Sequence, residues 1–462
     1  MKIIKTLFIL HLIPTILTGA LLYDVPVELK QPDGTTLHCF ASGDEFYSRL
    51  HDENDYTITQ SNDDGYYYYA VLEDGEIIPS SFRADQEQDL VREGISKRAM
   101  IPKERYLEIR DRWWNGVETR DAPTTGTVNN LNVFIRFADE DEFGNARSYY
   151  DGYFNDESGP SMKHYFSEVS YEMLTVNTIH YPESSMDSNL SYQDGYPRSY
   201  YQPYNAVTNP GGYTDSERIA REHALLQNAI AFIENEVPDS LIIDSNDDGN
   251  VDNVTFLVYG QPGGWADLLW PHRWALYSVQ SEIHGKRVWD YNFNMASGPY
   301  FSVGTLCHEF CHSLGAPDLY HYDDDTAPVA VGGWDVMDAS TDIPQWPSAY
   351  IKYRYFDWIE LQDASGGGTF SLNPLGQPDN NAYRLDSSNP NEYFVMEYRT
   401  QEGIYDSNAP GIDSGMVIYR VNDLYNGQGN AQGPPDELYV YRVGGTPTSS
   451  GVFASAIFSE EV

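Results

Sequence analysis

The run His308-Glu309-Phe310-Cys311-His312 sets two histidines four residues apart. On a helix that spacing puts both imidazoles on one face, one turn apart, where both reach a single metal ion. Glu309, beside the first histidine, supplies a carboxylate that can take a proton from water at that ion. Gly315 tolerates the left-handed backbone that ends a helix, and the chain can then return to bring Asp318 to the metal. The whole pattern, H-E-x-x-H-x-x-G-x-x-D, gives three protein ligands and one open position. That is the layout of a catalytic zinc site and not of a structural one. The expected zinc ligands are therefore His308, His312 and Asp318, and the expected general base is Glu309. His321, three residues further on, is the rival for the third place, although zinc accepts carboxylate oxygen readily. No Glu occurs between Glu309 and Glu360, which removes the arrangement in which a glutamate from a later helix is the third ligand.

Other residues carry weaker signals. Met337 lies 25 residues after His312, in Val331-Gly332-Gly333-Trp334-Asp335-Val336-Met337, as a tight turn beneath the metal site would require. Asp244, Asn246, Asp248, Asn250 and Asp252 place oxygen side chains at alternate positions around Gly249, following the first part of a calcium loop. Position 12 of that loop is Thr255 instead of a bidentate glutamate. A structural calcium ion is the expectation there, against a plain Asp/Asn turn. Asp323, Asp324 and Asp325 read as a solvated loop or a further calcium site. Cys39 stands apart from Cys307 and Cys311, which flank the helix motif as small core residues. If the N-terminal region covers the active site, a Cys39 thiolate could occupy the open zinc position as a latency plug. Three cysteines exclude a disulfide-stapled scaffold.

The elements that must position these groups point to an α+β protein of several parts. Residues 1–20 read as a signal peptide: Lys2 and Lys5, an apolar stretch, then Thr18-Gly19-Ala20. Residues 21–98 read as short strands and hairpins with turns at Asp63-Asp64-Gly65 and Asp74-Gly75, the makings of a propeptide cut near Lys97-Arg98. Residues 99–125 form a charged linker, helical from Lys103. The zinc domain spans 126–365. It should contain a strand at Leu131–Phe137, a helix at Ser161–Val169 and a strand at Leu174–His180. A long helix follows the Thr214-Asp215-Ser216-Glu217 capping box. Leu241–Ile243 and Val254–Tyr259 read as strands, Trp270–Trp274 as a loop, and Pro347–Trp358 as a helix. His272 is expected to support structure or substrate and not the metal. Residues 366–462 alternate as strands (Thr369–Leu372, Tyr393–Arg399, Met416–Val421, Leu438–Val443), a β-rich region that could be a sandwich. It stops as a fragment of a longer protein would.

Charge narrows the partners. With 28 Lys and Arg against 70 Asp and Glu, the net charge is −42. Phosphate backbones would be repelled, so nucleic acid is excluded as a partner. The acidity suits a salt- or calcium-rich exterior. The apolar N-terminal stretch is too short to span a bilayer comfortably, and no stable membrane insertion is expected.

Taken together, the motifs resemble the immune inhibitor A family of secreted bacterial metallopeptidases. His308-Glu309-x-x-His312-x-x-Gly315-x-Pro317-Asp318-x-Tyr320 is similar to its zinc signature, and Gly333-Trp334-x-x-Met337 to its Met-turn. Phe40 to Tyr47, Ser161-x-x-x-Tyr165-Phe166-x-Glu168-x-Ser170, the Asp244 to Asp252 loop, Trp270-Pro271-His272-Arg273 and Phe394 to Arg399 resemble further segments of it. The likeness runs over residues 37–425. It implies a secreted zinc endopeptidase acting on proteins, with a metzincin-like domain, a cleaved propeptide and bound calcium. No Tyr directly follows Met337, so a tyrosine stabiliser at that offset is unsupported. Two other readings stay open: a non-catalytic binding protein on the same scaffold, and a zinc amidase acting on a non-protein polymer.

Overall fold

The computed structural model describes residues 22–44, 46–114, 122–262, 268–321, 327–411, 413–446 and 448–458. The predicted leader at 1–20 and the Asp323-Asp324-Asp325 run lie outside them.

The chain is a mixed α/β protein with several sheets and few helices. Its first sheet is a six-stranded antiparallel meander in sequence order: β1 (Leu22–Lys30), β2 (Thr36–Gly43), β3 (Ser48–His51), β4 (Thr57–Gln60), β5 (Tyr67–Glu73) and β6 (Glu76–Arg83). The β5–β6 turn shows why the sequence folds so. Asp74 and Gly75 both adopt positive φ, 51° and 85°, as a two-residue hairpin turn matched to strand twist demands. Leu29, Leu37, Cys39, Leu50 and Ile58 form the meander's small core. α1 (Lys103–Trp114) follows.

The second sheet positions the site. It contains β7 (Gly126–Arg136), β8 (Leu174–Tyr181), β9 (Tyr192–Gln193), β10 (Val254–Val258), β11 (His272–Ala275) and β14 (Asp290–Met295). A small hairpin of β12 (Glu282–Ile283) and β13 (Lys286–Arg287) lies between the last two. The order is β11-β14-β10-β7-β8, with β9 also paired to β7. The sheet is parallel except for β11, which runs antiparallel along β14 at one edge. β10 is buried at every residue, as a central parallel strand covered on both faces should be. Along β7, Leu131, Val133 and Ile135 join one core with Leu225, Leu226 and Ile230 of α4 (Arg218–Ile233). Val128 and Phe134 join the other core with α2 (Arg147–Asn155), α3 (Met162–Val169) and α5 (Val303–Ser313). This is the strand's period-two alternation dividing side chains between two helical layers.

After α6 (Ala349–Arg354), the third sheet comprises β15 (Gln362–Asp363), β16 (Ala382–Asp386), β17 (Glu392–Arg399), β18 (Gly415–Asn422) and β19 (Leu438–Val440), paired in that order. α7 (Gly403–Asp406) lies between β17 and β18. Val395, Val417, Tyr419 and Leu438 belong to the same core as Phe310 and Met337, so this sheet shares a hydrophobic core with the helix that bears the histidines.

Several expectations need correction. Trp270–Trp274 is not all loop, because His272 to Ala275 form the edge strand β11. Pairing with β14 decides this, and no local pattern announced it. Leu241–Ile243 is not a strand. Ile242 is 64% exposed, and apolar composition without a pairing partner does not make a strand. Thr369–Leu372 is likewise irregular, and among the described residues, 366–458 supply four strands of one five-stranded sheet, completed by β15, where a sandwich was the expectation. The helix expected over 347–358 is confined to Ala349–Arg354. Among the described residues, no helix is long and apolar enough to cross a membrane.

Candidate metal centre

α5 is capped at its N-terminus by Ser302, whose hydroxyl accepts the Thr305 N–H at 3.0 Å. It ends where Gly315 adopts φ +101°. There the Ala316 N–H reaches Cys311 O at 3.0 Å and the Gly315 N–H reaches His312 O at 2.9 Å. These two bonds make a Schellman cap, which needs a left-handed residue at its turn. The cap turns the chain back on itself and carries Asp318 to the face that holds His308 and His312.

The three predicted ligands converge. The two Nε2 atoms lie 3.1 Å apart. Asp318 Oδ1 is 3.3 Å from His308 Nε2 and 3.2 Å from His312 Nε2. Ligand atoms about 2.0–2.2 Å from a tetrahedral zinc stand about 3.4 Å apart, so the spacing suits such an ion. Among the described residues, this is the group of His, Cys, Asp and Glu placed to hold a metal. Each imidazole is also oriented for the task. His308 Nδ1–H donates to Val336 O at 2.9 Å, and His312 Nδ1–H donates to Ala316 O at 2.7 Å. With Nδ1 protonated and engaged, Nε2 carries the lone pair that faces inward. Met337 is fully buried, and its carbonyl accepts the Leu319 N–H at 2.8 Å. The turn before it thus secures one histidine through Val336 and the third ligand's neighbour through Met337.

The electrostatics call for a cation. Both carboxylate oxygens of Glu309, and Oδ1 of Asp318, are buried without a hydrogen-bond partner among the described residues. An isolated buried carboxylate is costly. Burial raises the Glu309 pKa, while His308, His312 and His272 pull it the other way. For His308, burial works to lower the pKa, but the Asp318 and Glu309 carboxylates outweigh it and raise the pKa to about 9. Two nitrogens and a carboxylate oxygen beside a second acid form a donor set that fits zinc, with protons competing for the same lone pairs.

His321, the rival ligand, is committed elsewhere. Its Nδ1–H donates to Ala327 O at 3.0 Å, and its Nε2 meets Asp436 Oδ1 at 2.6 Å. His272 also stays off the cluster, holding Trp270 O at 2.7 Å and the buried Glu222 at 2.9 Å.

Cys39 is not brought to the cluster. It lies in the meander core, where burial pushes its thiol up to about 12 and opposes the thiolate a latency plug needs. The calcium expectation also gains no support. Asp244 accepts the Asp248 and Gly249 N–H groups, each at 3.0 Å, and pairs with Lys286 Nζ at 2.6 Å. Asp248 accepts from the Asn246 side chain and the Asn250 N–H, and Asp252 from the Ser245 N–H. Lysine and loop amides therefore satisfy these carboxylates as an Asx-type turn would.

Asp44, to which no sequence motif assigns a role, feels the charge of Asp318. Its Oδ1 accepts the Phe46 and Tyr47 N–H groups, each at 2.9 Å, and its Oδ2 accepts the Tyr106 hydroxyl of α1 at 2.8 Å. Gly43 before it has φ +145°, and a Cβ there would collide with Tyr47 O. Burial first, and the charge of Asp318 as well, push Asp44 up to about 6. The loop from the meander therefore reaches the field of the metal cluster. Phe46 and Tyr106 share a core with Trp270 and with Phe293 of the second sheet.

No family model and no curated protein matches the sequence. Solved structures give distant likenesses. Metalloproteinase-II from Bacteroides fragilis is 12% identical over 72% of this chain and 85% of its own, with a TM-score of 0.24. Catalytically inactive OgpA from Akkermansia muciniphila, in complex with an O-glycopeptide substrate, is 11% identical over 68% and 90%, with a TM-score of 0.26. Likeness at that level carries no functional weight.

Proposed function

We propose that the chain is an exported zinc endopeptidase of the immune inhibitor A type, with residues 126–365 as its metzincin-like catalytic domain. The observation that carries this reading is the convergence of His308 Nε2, His312 Nε2 and Asp318 Oδ1 beside the partnerless carboxylate of Glu309. Zinc held by these three residues would polarise a carbonyl and acidify water. The chain's own groups supply the rest. His308 and His312 enter with their tautomer already fixed, and Asp318 brings the negative charge that favours a dication. Glu309 takes the proton of the attacking water and delivers it to the leaving amine nitrogen. Burial equips it for this, since a raised pKa lets a carboxyl hold a proton between the two transfers. Peptide bonds in extracellular proteins are the substrate class the resemblance implies.

The test is metal content measured together with cleavage of denatured casein, with and without a zinc chelator, and of a cell-wall amide polymer in parallel. One zinc per chain with chelator-sensitive casein cleavage is expected. Zinc with cleavage of the polymer alone would turn the reading to an amidase, and a chain that takes up no zinc would sink it.

Residues 21–98 are proposed as a cover removed on activation; Ser61 O and Asn62 Oδ1 accept from Asn205 and Ala206 of residues 126–365, and the Asp44 loop is a further tie, to α1. The Tyr106 hydroxyl ties that loop to α1 through the Asp44 carboxylate, a bond worth about 1 kcal/mol, while the Phe46 and Tyr47 N–H groups shape the loop itself. Asp44→Ala in the uncut chain should therefore raise peptide cleavage by about fivefold. An uncut wild-type chain as active as the cut one would show that the segment is no cover.

A further inference from the structure

The C-terminal sheet reaches past its own core and takes hold of the turn that carries the third ligand. Asn430, fully buried, lies between β18 and β19. Its N–H donates to Asp318 O at 2.9 Å. Its side-chain amide donates to Leu319 O at 3.0 Å and to Leu438 O at 2.8 Å, and its side-chain oxygen accepts the Leu438 N–H at 3.1 Å. One residue thus joins two successive carbonyls of the ligand turn to β19. The approach is close enough that a Cβ on Gly429 would collide with Asp318 O, and one on Gly433 with Asp436 and His321. Two further ties flank it. The His321–Asp436 pair spans the same two segments at 2.6 Å. Glu437, also fully buried, accepts the Gln428 and Gly429 N–H groups at 3.0 and 2.7 Å and the hydroxyls of Tyr350 and Tyr355.

We infer that Asn430 is a positioning residue for the metal site, and that residues 428–438 complete the geometry that lets Asp318 bind the ion. This rests on the zinc reading above. The physical reason is that the two halves of the site are held differently. His308 and His312 sit on a helix with its own capping bonds. Asp318 sits in an irregular turn, and irregular backbone needs partners for its N–H and C=O groups. The Leu319 N–H is held from the Met337 side, while the Asp318 and Leu319 carbonyls are held from the Asn430 side. Without the second hold, Asp318 must be ordered by the metal itself, and affinity falls by the cost of that ordering. Outer partners of metal ligands are typically worth ~10–100-fold in affinity.

The experiment is cobalt and zinc titration of the full chain, reading the visible cobalt spectrum and the zinc Kd by competition, for wild type, Asn430→Ala and Asn381→Ala. Asn381 is a matched control. It is a buried amide just before β16 of the same sheet, bonded to Tyr171 and Gln377 and not to the ligand turn. Asn430→Ala should bind zinc at least tenfold more weakly and show an altered cobalt spectrum, while Asn381→Ala keeps the wild-type Kd and spectrum whatever it loses in thermal stability. Asp436→Asn, which keeps the shape but weakens the His321 tie, should shift Kd in the same direction by less. Equal zinc affinity in Asn430→Ala and wild type would overturn the inference, as would equal losses in Asn430→Ala and Asn381→Ala. A wild-type chain that takes up neither metal would overturn the zinc reading itself and this inference with it.

Discussion

Glu309→Gln is expected to retain zinc and lose turnover by about a thousandfold, the middle of the range for a positioned general acid–base. That corresponds to about 4 kcal/mol of barrier. The substitution is close to isosteric, so the packed space around α5 is unchanged. The Glu309 carboxylate is not among the three converging ligand atoms, so affinity for the ion should persist. What the amide lacks is the capacity to take and return a proton. A second readout separates this from damage. Burial raises the Glu309 pKa in the folded state. A raised acid adds stability that is full below its unfolded pKa and is lost as pH rises through the folded one. Above that folded value the ionised group weighs against folding, and there the metal-free Gln variant should melt no lower than wild type. Turnover within a few fold of wild type would remove Glu309 from the chemistry. A fall in both turnover and zinc content would make it a structural residue of the site.

The parts of this site that were legible in the sequence are those encoded over short range. His308, Glu309 and His312 share one helix, and helical periodicity alone places both histidines on one face. Gly315 and Asp318 follow within a single cap, whose left-handed residue is readable as glycine. The strands at β7, β8, β10, β17 and β18 carry enough β-branched and aromatic residues to declare themselves. What stayed hidden depends on pairing across distance. β11 is a strand only because β14 lies beside it. Asp44 approaches the cluster from a meander more than 250 residues upstream, and Asn430 from more than 100 downstream. Neither has a local pattern that distinguishes it from an ordinary turn residue. The Asp244 loop is the converse case. Its alternating oxygens satisfy the local template for calcium, while the Lys286 ammonium that pairs with Asp244 comes from 42 residues away.

The same long-range logic makes Arg399 the residue whose loss should cost the fold most. Arg399 is fully buried and pairs with Glu397 at 3.0 Å and Asp406 at 2.5 Å. It also donates to Trp334 O at 3.4 Å, in the turn that leads to Met337. Burial works against its charge, but Asp406 and Glu397 outweigh burial and hold it protonated. Glu397 in turn accepts the Ala349 N–H that opens α6 and the Tyr419 hydroxyl of β18. Arg399→Ala leaves two carboxylates buried without their cation, and breaking one side of a buried pair typically costs about 3–5 kcal/mol. One neighbour can soften the loss. Lys352 is buried at the same place, its Nζ 3.8 Å from the Trp346 ring centroid. Burial first, and Arg399 next, lower its pKa, while Glu397 and Asp406 raise it. With Arg399 gone, Lys352 is freer to carry the compensating charge. The double variant Arg399→Ala, Lys352→Met should therefore fall further than the sum of the two single variants, the signature of groups sharing one network. Denaturant unfolding of the four chains measures both quantities. A loss below about 1 kcal/mol for Arg399→Ala, comparable to an exposed ion pair, would show that the cluster does not join the C-terminal sheet to the Met337 turn.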